Sequence, residues 1–402
     1  MAADELTRAR REAERVARES YGKLLAFLAS RTRAMAAAED ALAEAFAAAL
    51  ARWPVTGVPD VPEAWLLVTA RRKIADEARR SRVREGDRER LVLAAEEAAA
   101  RCEESGTIPD ERLRLMFACA HPALDPGIRA PLILQAVLGL DAGPIASAFL
   151  CAPAAMSQRL VRAKRKIRDA AIPFVVPEAG DLAARLDAVL DAVYVAYGEA
   201  RLSDEAVYLG RVVVALLPDA PEALGLLALM LHLEARVAAR RGPNGEYVSL
   251  SEQDPGLWDP TLIAEAEEFL VRAGALRRPG RFQLEAAVQS VHAARRSTGR
   301  TDWPAILMLY EELWRTTSSV VVAVNRAVAL AAVDGAASAL AALDQVASDL
   351  RLATYQPYWA ARADVLARLG RPEASAAYER AIGLTSDEAV RRFLAERRAR
   401  AR

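Results

Sequence analysis

Residues 140–168 read LDAGPIASAFLCAPAAMSQRLVRAKRKIR, and this stretch decides the fold of the central part of the chain. Two short helical patterns are separated by the turn Cys151-Ala152-Pro153, where proline fits the first turn of a new helix but not the interior of one. Five side chains are predicted to face inward: Ile145, Ala146, Phe149, Met156 and Leu160. This spacing predicts a helix-turn-helix.

The second helix of this pair is strongly basic and contains no acid until residue 169. Its cations are Arg159, Arg162, Lys164, Arg165, Lys166 and Arg168. Such a helix favours phosphate as its partner, and the short polar residues Ser157 and Gln158 near its start could reach base edges in a major groove. The alternative is a solvated basic helix end, which the preceding helix-turn-helix spacing disfavours.

The whole chain has 402 residues, 53% of them hydrophobic and only 6% aromatic, with an excess of alanine and leucine. This length and composition predict a multidomain, all-α protein. Lysine plus arginine and aspartate plus glutamate both number 54, so any electrostatic function must be local.

The sequence indicates a cytoplasmic protein. Its three cysteines are widely spaced, which argues against a disulfide framework. Its N-terminus is charged, unlike a signal peptide, and its apolar runs are all well short of the ~20 residues that a membrane span needs. The three histidines show no metal-ligand spacing. Because a nucleophile–base pair and a glycine-rich phosphate loop are also missing from the sequence, we expect no enzymatic activity, no metal and no cofactor.

The N-terminal part shows amphipathic helical patterns up to Leu50, then a proline-rich stretch from Trp53 to Pro62 that predicts a loop. A helix is expected from Glu63 to about Arg84, and its second half carries the basic residues Arg71, Arg72, Lys73, Arg79 and Arg80. A loop followed by a basic helix could capture an unstacked base and track the backbone. Trp53 and Trp65 could serve either as core anchors or as base-stacking residues.

Asp40 and Glu44 lie one helical turn apart beside Phe46. This arrangement predicts either a solvated helix face or a docking surface for a partner protein.

After Pro173 and Pro177 the sequence consists of alanine- and leucine-rich helical segments broken by proline or glycine. The clearest unit, 361–382, resembles a tetratricopeptide repeat of ~34 residues, and 241–260 is expected to form a long loop. Repeats of this kind leave a concave surface suited to a protein or small-molecule partner. The expected organisation is a domain over 1–84, a linker over 85–107, a helix-turn-helix domain over 108–173 and a helical domain over 174–402.

Three stretches carry a family resemblance: 38–53 (AEDALAEAFAAALARW), 62–80 (PEAWLLVTARRKIADEARR) and 140–168. Together they resemble regions 2 and 4 of an extracytoplasmic-function (ECF) sigma factor of the sigma-70 superfamily. The segments 109–124, 254–263 and 277–292 are similar to the ECF group with a C-terminal tetratricopeptide-like extension.

The resemblance implies a region 2 helical bundle that docks on core RNA polymerase and opens the minus-10 element, and a region 4 helix-turn-helix that reads the minus-35 element. By position, Asp40, Glu44 and Phe46 would dock on polymerase. The minus-10 set would be Trp53, Arg71, Arg72, Lys73, Arg79 and Arg80. The minus-35 set would be Ala155, Ser157, Gln158, Arg159 and Arg162, with Lys164, Arg165 and Lys166 on the same basic helix.

The leading hypothesis is a promoter-specificity factor whose partners are core RNA polymerase and promoter DNA, regulated in cis by its C-terminal helical domain. The alternative is a helix-turn-helix regulator or tetratricopeptide-like scaffold that acts without polymerase.

Overall fold

The computed structural model describes residues 2–32, 35–80, 111–170, 172, 179–199 and 201–401. Regular structure in these residues is helical, apart from one isolated β-bridge between Arg241 and Tyr247. The prediction of an all-α protein is therefore confirmed. The chain forms two compact units, Met1–Ser203 and Asp204–Arg402. The expected linker, 85–107, lies outside the described residues.

The first unit contains nine helices among its described residues. These are α1 (Ala2–Glu19), α2 (Tyr21–Thr32), α3 (Met35–Thr56), α4 (Pro62–Arg80), α5 (Arg112–Cys119), α6 (Pro126–Ala136), α7 (Ala142–Ala148), α8 (Pro153–Asp169) and α9 (Ala179–Tyr197).

Helix α3 is central to the N-terminal bundle, where it packs against α1, α2 and α4. It continues through Pro54 to Thr56, so the expected loop is shorter than the sequence suggested. Pro54 is tolerated because it removes only one donor near the helix end, where the Gly57 N–H still donates to the Trp53 carbonyl at 3.0 Å. Gly57, with φ +84°, then ends the helix, and Pro62 begins α4 as predicted.

Helices α7 and α8 form the predicted helix-turn-helix. Ile145, Ala146, Met156 and Leu160 are buried, whereas Phe149 is only half-buried. The turn is closed by the Cys151 N–H, which donates to the Ala146 carbonyl at 2.9 Å.

Helix α9 packs against α5 and α6 and so completes the first unit. It buries Val189, Leu190 and Val193, and the Arg185 Nη1 donates to the Phe117 carbonyl at 3.2 Å. The first unit thus extends beyond residue 173, where the sequence placed its end. The apolar face of α9 requires cover, which α5 and α6 provide.

The second unit also consists of helices, with short 3₁₀ turns at Val237–Arg240, Pro255–Leu257 and Leu350–Thr354. Its α-helices are α10 (Ser203–Leu216), α11 (Pro221–Glu234), α12 (Pro260–Ala275), α13 (Arg281–Ala293), α14 (Arg295–Thr298), α15 (Trp303–Thr317), α16 (Val320–Val333), α17 (Ala336–Val346), α18 (Gln356–Arg368), α19 (Ala374–Leu384) and α20 (Glu388–Arg400).

Neighbouring helices of this unit pack as pairs, most extensively α11 with α12 and α13. The helix pair predicted at 361–382 is present as α18 and α19, joined by a turn in which Gly370 has φ +62°. The expected long loop between α11 and α12 is held by Arg295, which donates to the Leu250 carbonyl at 3.0 Å and lies over the ring of Trp258. None of the helices within the described ranges is long and apolar enough to cross a membrane.

Candidate nucleic-acid interface

Helix α8 separates an apolar side from a polar, basic side. Met156, Leu160, Ala163 and Ile167 recur every three or four residues and are buried against the rest of the unit. The opposite side exposes Ala155, Ser157, Gln158, Arg162, Arg165 and Lys166 from the predicted minus-35 set. The helix-turn-helix therefore presents a polar, basic surface at the position where such a motif enters a major groove.

Two cations of the predicted set are engaged within the protein. The Arg159 Nη2 donates to the Gly127 carbonyl at 2.8 Å, which ties α8 to the start of α6. The Lys164 Nζ lies 2.7 Å from the Glu39 Oε1 in α3. The Arg159 side chain therefore connects α8 to α6, and the Lys164 ammonium is engaged in an ion pair with Glu39.

The structure adds Val161, to which the sequence reasoning gave no role. Its side chain is 65% exposed, although it stands on a helix that buries its other large apolar residues. It follows one turn after Gln158 and directly precedes Arg162 on the outer surface. An apolar side chain at such a place can contact a thymine methyl group in the major groove. In the sequence, Val161 could have been identified from its position three residues after Gln158, which places both on one side of the helix.

The predicted minus-10 cations are only partly described. Arg72 and Lys73 are exposed on α4 and Arg71 is half-buried, while the side chains of Arg79 and Arg80 lie outside the described residues. The Lys73 Nζ forms an ion pair with the Glu44 Oε2 at 2.8 Å. This ion pair connects α4 to α3.

Trp53 does not belong to a DNA-contacting surface. Its side chain is 1% exposed, and its ring meets Trp65 edge to face with centroids 5.6 Å apart. A buried indole cannot stack on a base, so its assignment to the minus-10 set is corrected to a core role beneath the loop. Of the two roles considered for the tryptophans, core anchor or base-stacking residue, Trp53 has the first.

The predicted docking residues lie on the accessible part of α3. Asp40 and Glu44 are exposed, and Phe46 is half-buried against Tyr21 with ring centroids 6.2 Å apart. Burial, with the nearby Glu39 and Asp40 carboxylates, raises the pKa of Tyr21 to about 12. Leu50, one turn after Phe46, is also exposed. This surface combines acids with an apolar edge, which is compatible with a docking surface that has an apolar centre and a polar rim.

Within the part of the chain that the structure describes, no group of three or more histidine, cysteine, aspartate or glutamate side chains could hold a metal ion.

Comparison with known families gives two matches. Residues 16–84 match Sigma-70 region 2, and this match covers α2 to α4 together with the last turn of α1. Residues 185–274 match a family of unknown function, DUF6596, and this match runs from α9 in the first unit to α12 in the second.

An uncharacterized protein of Rhizobium meliloti (strain 1021) is 38% identical to this chain over 390 residues, which cover 90% of this chain and 92% of the relative. The similarity therefore includes both compact units. No solved structure matches the chain.

Proposed function

Because the chain carries a sigma-70 region 2 and belongs to the same family as the Rhizobium meliloti protein, we propose that it is an ECF-type sigma factor. It binds core RNA polymerase and directs transcription initiation at specific promoters. Its second unit regulates this activity in cis.

The observation that carries the proposal is a helix-turn-helix with a basic surface, C-terminal to region 2 in the sequence. Region 2 alone indicates polymerase and minus-10 DNA as partners. The helix-turn-helix of α7 and α8 lies in the same compact unit and exposes a basic surface. Two DNA-binding elements on one chain suit a factor that recognises two separated promoter elements.

We propose distinct roles along α8. Gln158, Val161 and Arg162 face outward near its middle and read base edges of the minus-35 element. Arg165 and Lys166 contact phosphates, which fix the register without reading sequence.

On region 2, Asp40, Glu44 and Phe46 dock on polymerase. Arg71, Arg72 and Lys73 contact the minus-10 strand. We expect the second unit to regulate the first unit in cis, because the two are parts of one chain. A tethered domain acts at high effective concentration even where its contacts are weak.

Run-off transcription with purified core polymerase on a promoter library tests the proposal. We expect the wild-type chain to select promoters with shared minus-10 and minus-35 elements. Arg162→Ala together with Arg165→Ala should weaken transcription from them, with the Arg162 change also relaxing the minus-35 preference by ~1–3 kcal/mol. Arg300→Ala, an exposed arginine in the second unit, is the matched control and should transcribe as wild type.

Co-purification with core polymerase tests the docking surface separately. Asp40→Arg together with Phe46→Ala removes a charge and an apolar anchor and should weaken the complex. The absence of transcripts from every library member with wild-type protein would contradict the proposed function. Specific duplex binding without polymerase would then favour a helix-turn-helix regulator.

A further inference from the structure

Helix α20 carries a local excess of positive charge. Residues 391–402 read RRFLAERRARAR and contain six arginines and one glutamate. The whole chain, by contrast, is balanced, with 54 acidic and 54 basic residues. Residues 391–400 of this stretch lie in α20. A charge excess of this density attracts an anionic partner unless acids of the same unit neutralise it.

On the inner side of α20, acids of the second unit neutralise the arginines. The Arg397 Nη2 lies 2.6 Å from the Glu252 Oε1 in the loop between α11 and α12, and its guanidinium lies over the ring of Phe393. Arg398 forms an ion pair with Glu379 in α19. Both arginines are half-buried. Their contacts hold α20 on the rest of the unit, so these two side chains have a structural role.

The outer side of α20 exposes cations that are not neutralised in this way. Arg391 and Arg392 are both exposed. The Arg391 Nη1 lies 4.0 Å from the Glu388 Oε2, the outer limit of an ion pair, and Arg392 forms no ion pair with any residue that the structure describes. Ala395 and Ala399 are exposed on the same side. Methyl side chains beside the guanidinium groups leave room for a broad anionic surface to approach the helix.

The packing of α20 disfavours other kinds of partner for this side. Its apolar residues Ala389 and Leu394 are buried and Phe393 is half-buried, so its described residues offer no apolar face to a membrane interface or a hydrophobic groove. Helix stability does not require Arg392, because the helix dipole favours cations in the last turn and this residue lies in the first half of the helix. The chemistry that the outer side fits is therefore that of a polyanion.

We propose that the outer side of α20, formed by Arg391, Arg392, Ala395 and Ala399, binds the phosphate backbone of duplex DNA without reading its sequence. Guanidinium groups bind phosphate oxygens through charge-assisted hydrogen bonds, and the release of counterions from DNA favours such contacts. The second unit thus adds a DNA contact of its own to those of the first unit. This goes beyond the proposed function, which assigns DNA binding to the first unit alone.

The salt dependence of binding tests this contact. A labelled 30-base-pair duplex of mixed sequence is titrated with the full-length chain between 50 and 200 mM NaCl. In Arg391→Ala with Arg392→Ala, the loss of two phosphate contacts should make the log–log salt slope shallower by ~1.8. The affinity of the wild-type chain should therefore fall about 12-fold more than that of the variant over this range. Arg315→Ala with Arg368→Ala is the matched control, because it removes the same charge from exposed arginines that pair with acids of their own helices. Its slope should equal that of the wild-type chain.

A second variant keeps both arginines. It is needed because Arg391 also donates to the Thr385 carbonyl at 2.9 Å, so its removal could loosen the start of α20. Ala395→Glu places a carboxylate beside the exposed arginines and should lower the affinity several-fold at 50 mM NaCl. Ala337→Glu, at an exposed position of α17, is its control and should bind as wild type. Thermal unfolding of each variant checks that the chain is folded.

Photo-cross-linking locates the contact directly. The full-length chain with Cys102→Ser and Cys151→Ser receives Ala395→Cys, and the introduced thiol is labelled with azidophenacyl bromide, while the remaining Cys119 is buried. We expect irradiation to join this chain to the duplex several-fold more efficiently than a chain labelled at Ala337→Cys.

The outcomes separate this contact from the proposed function. Equal salt slopes for the α20 double variant and its control, or equal cross-linking from the two labelled positions, overturn the proposal. If the α20 double variant then also loses co-purification with core polymerase, its arginines belong to a protein interface instead. A shallower slope and efficient cross-linking, in a chain that gives no transcript with core polymerase, support the DNA contact and reject the sigma-factor function.

Discussion

Helix α9 should be required for the proposed region 4, α5 to α8, to fold, although it lies beyond the boundary that the sequence suggested. It packs against α5 and α6, and Arg185 adds a hydrogen bond to the Phe117 carbonyl. A chain that ends after Ile172 lacks this helix, whereas one that ends after Gly198 retains it. We expect the shorter chain to lose the folded helix-turn-helix and the longer chain to keep it.

The size of the effect follows from the burial of α9. Leu186, Val189, Leu190 and Val193 are all buried. Burying each such side chain contributes about 1.5–3 kcal/mol, so the four together contribute roughly 6–12 kcal/mol as an upper estimate. A whole domain is stable by only about 5–15 kcal/mol, so region 4 without α9 retains little or none of its stability.

Thermal unfolding followed by circular dichroism, together with limited trypsin digestion, compares the two truncated chains. In the full-length chain, Leu190→Ala should destabilise the first unit by about 2–5 kcal/mol. Asp187→Ala, an exposed position on the same helix, should change stability by less than about 0.5 kcal/mol. Equal melting temperatures and equal protease resistance for the chains ending at Ile172 and Gly198 would refute the reasoning.

The remaining predictions concern two glycines, the buried His292 and the buried Trp53. Gly225→Ala should destabilise the second unit by about 1–3 kcal/mol in urea unfolding, because its Cβ would lie 2.5 Å from the Gln283 backbone nitrogen. Gly274→Ala, with open space around it, should instead stabilise its helix by up to about 1 kcal/mol. Burial, aided by neighbouring arginines, lowers the pKa of His292 from 6.5 to about 4. The folded state therefore loses stability as the pH falls from about 6.5 toward 4, and His292→Gln should flatten this loss in thermal unfolding. Trp53→Phe should leave promoter-dependent transcription near wild type, because the indole is buried and cannot contact DNA; a large loss with unchanged stability would contradict this.

The sequence alone predicted the helices and turns whose signals come from neighbouring residues. The turn at Cys151-Ala152-Pro153 and the apolar spacing of Met156 and Leu160 predicted the helix-turn-helix, because a proline and a helix period depend only on neighbouring residues. The helix expected from Glu63 is likewise present as α4, which begins at Pro62. These features also located the basic surface of α8.

Long-range contacts could not be predicted from the same signals. Glu39 and Lys164 are two among 54 acidic and 54 basic residues, and nothing in either local pattern pairs them. Trp53 next to a proline-rich loop favoured base stacking as well as core packing until its burial decided between them. Pro173 and Pro177 indicated a change of character in the sequence, but such a signal does not determine which helices cover the next apolar face.

Helix α9 also gives the proposed regulation in cis a physical route. The match to the family of unknown function begins at residue 185, within α9, and continues to residue 274 in the second unit. The matched segment therefore includes most of α9, which packs against α5 and α6, and also the first helices of the second unit. Only a few residues separate the end of α9 at Tyr197 from the start of α10 at Ser203. Helix α6 in turn holds the recognition helix through the hydrogen bond from Arg159 to Gly127. Within the first unit, α9 contacts α6 and α6 contacts α8, so the proposed regulation in cis would act on α8 through these packed helices.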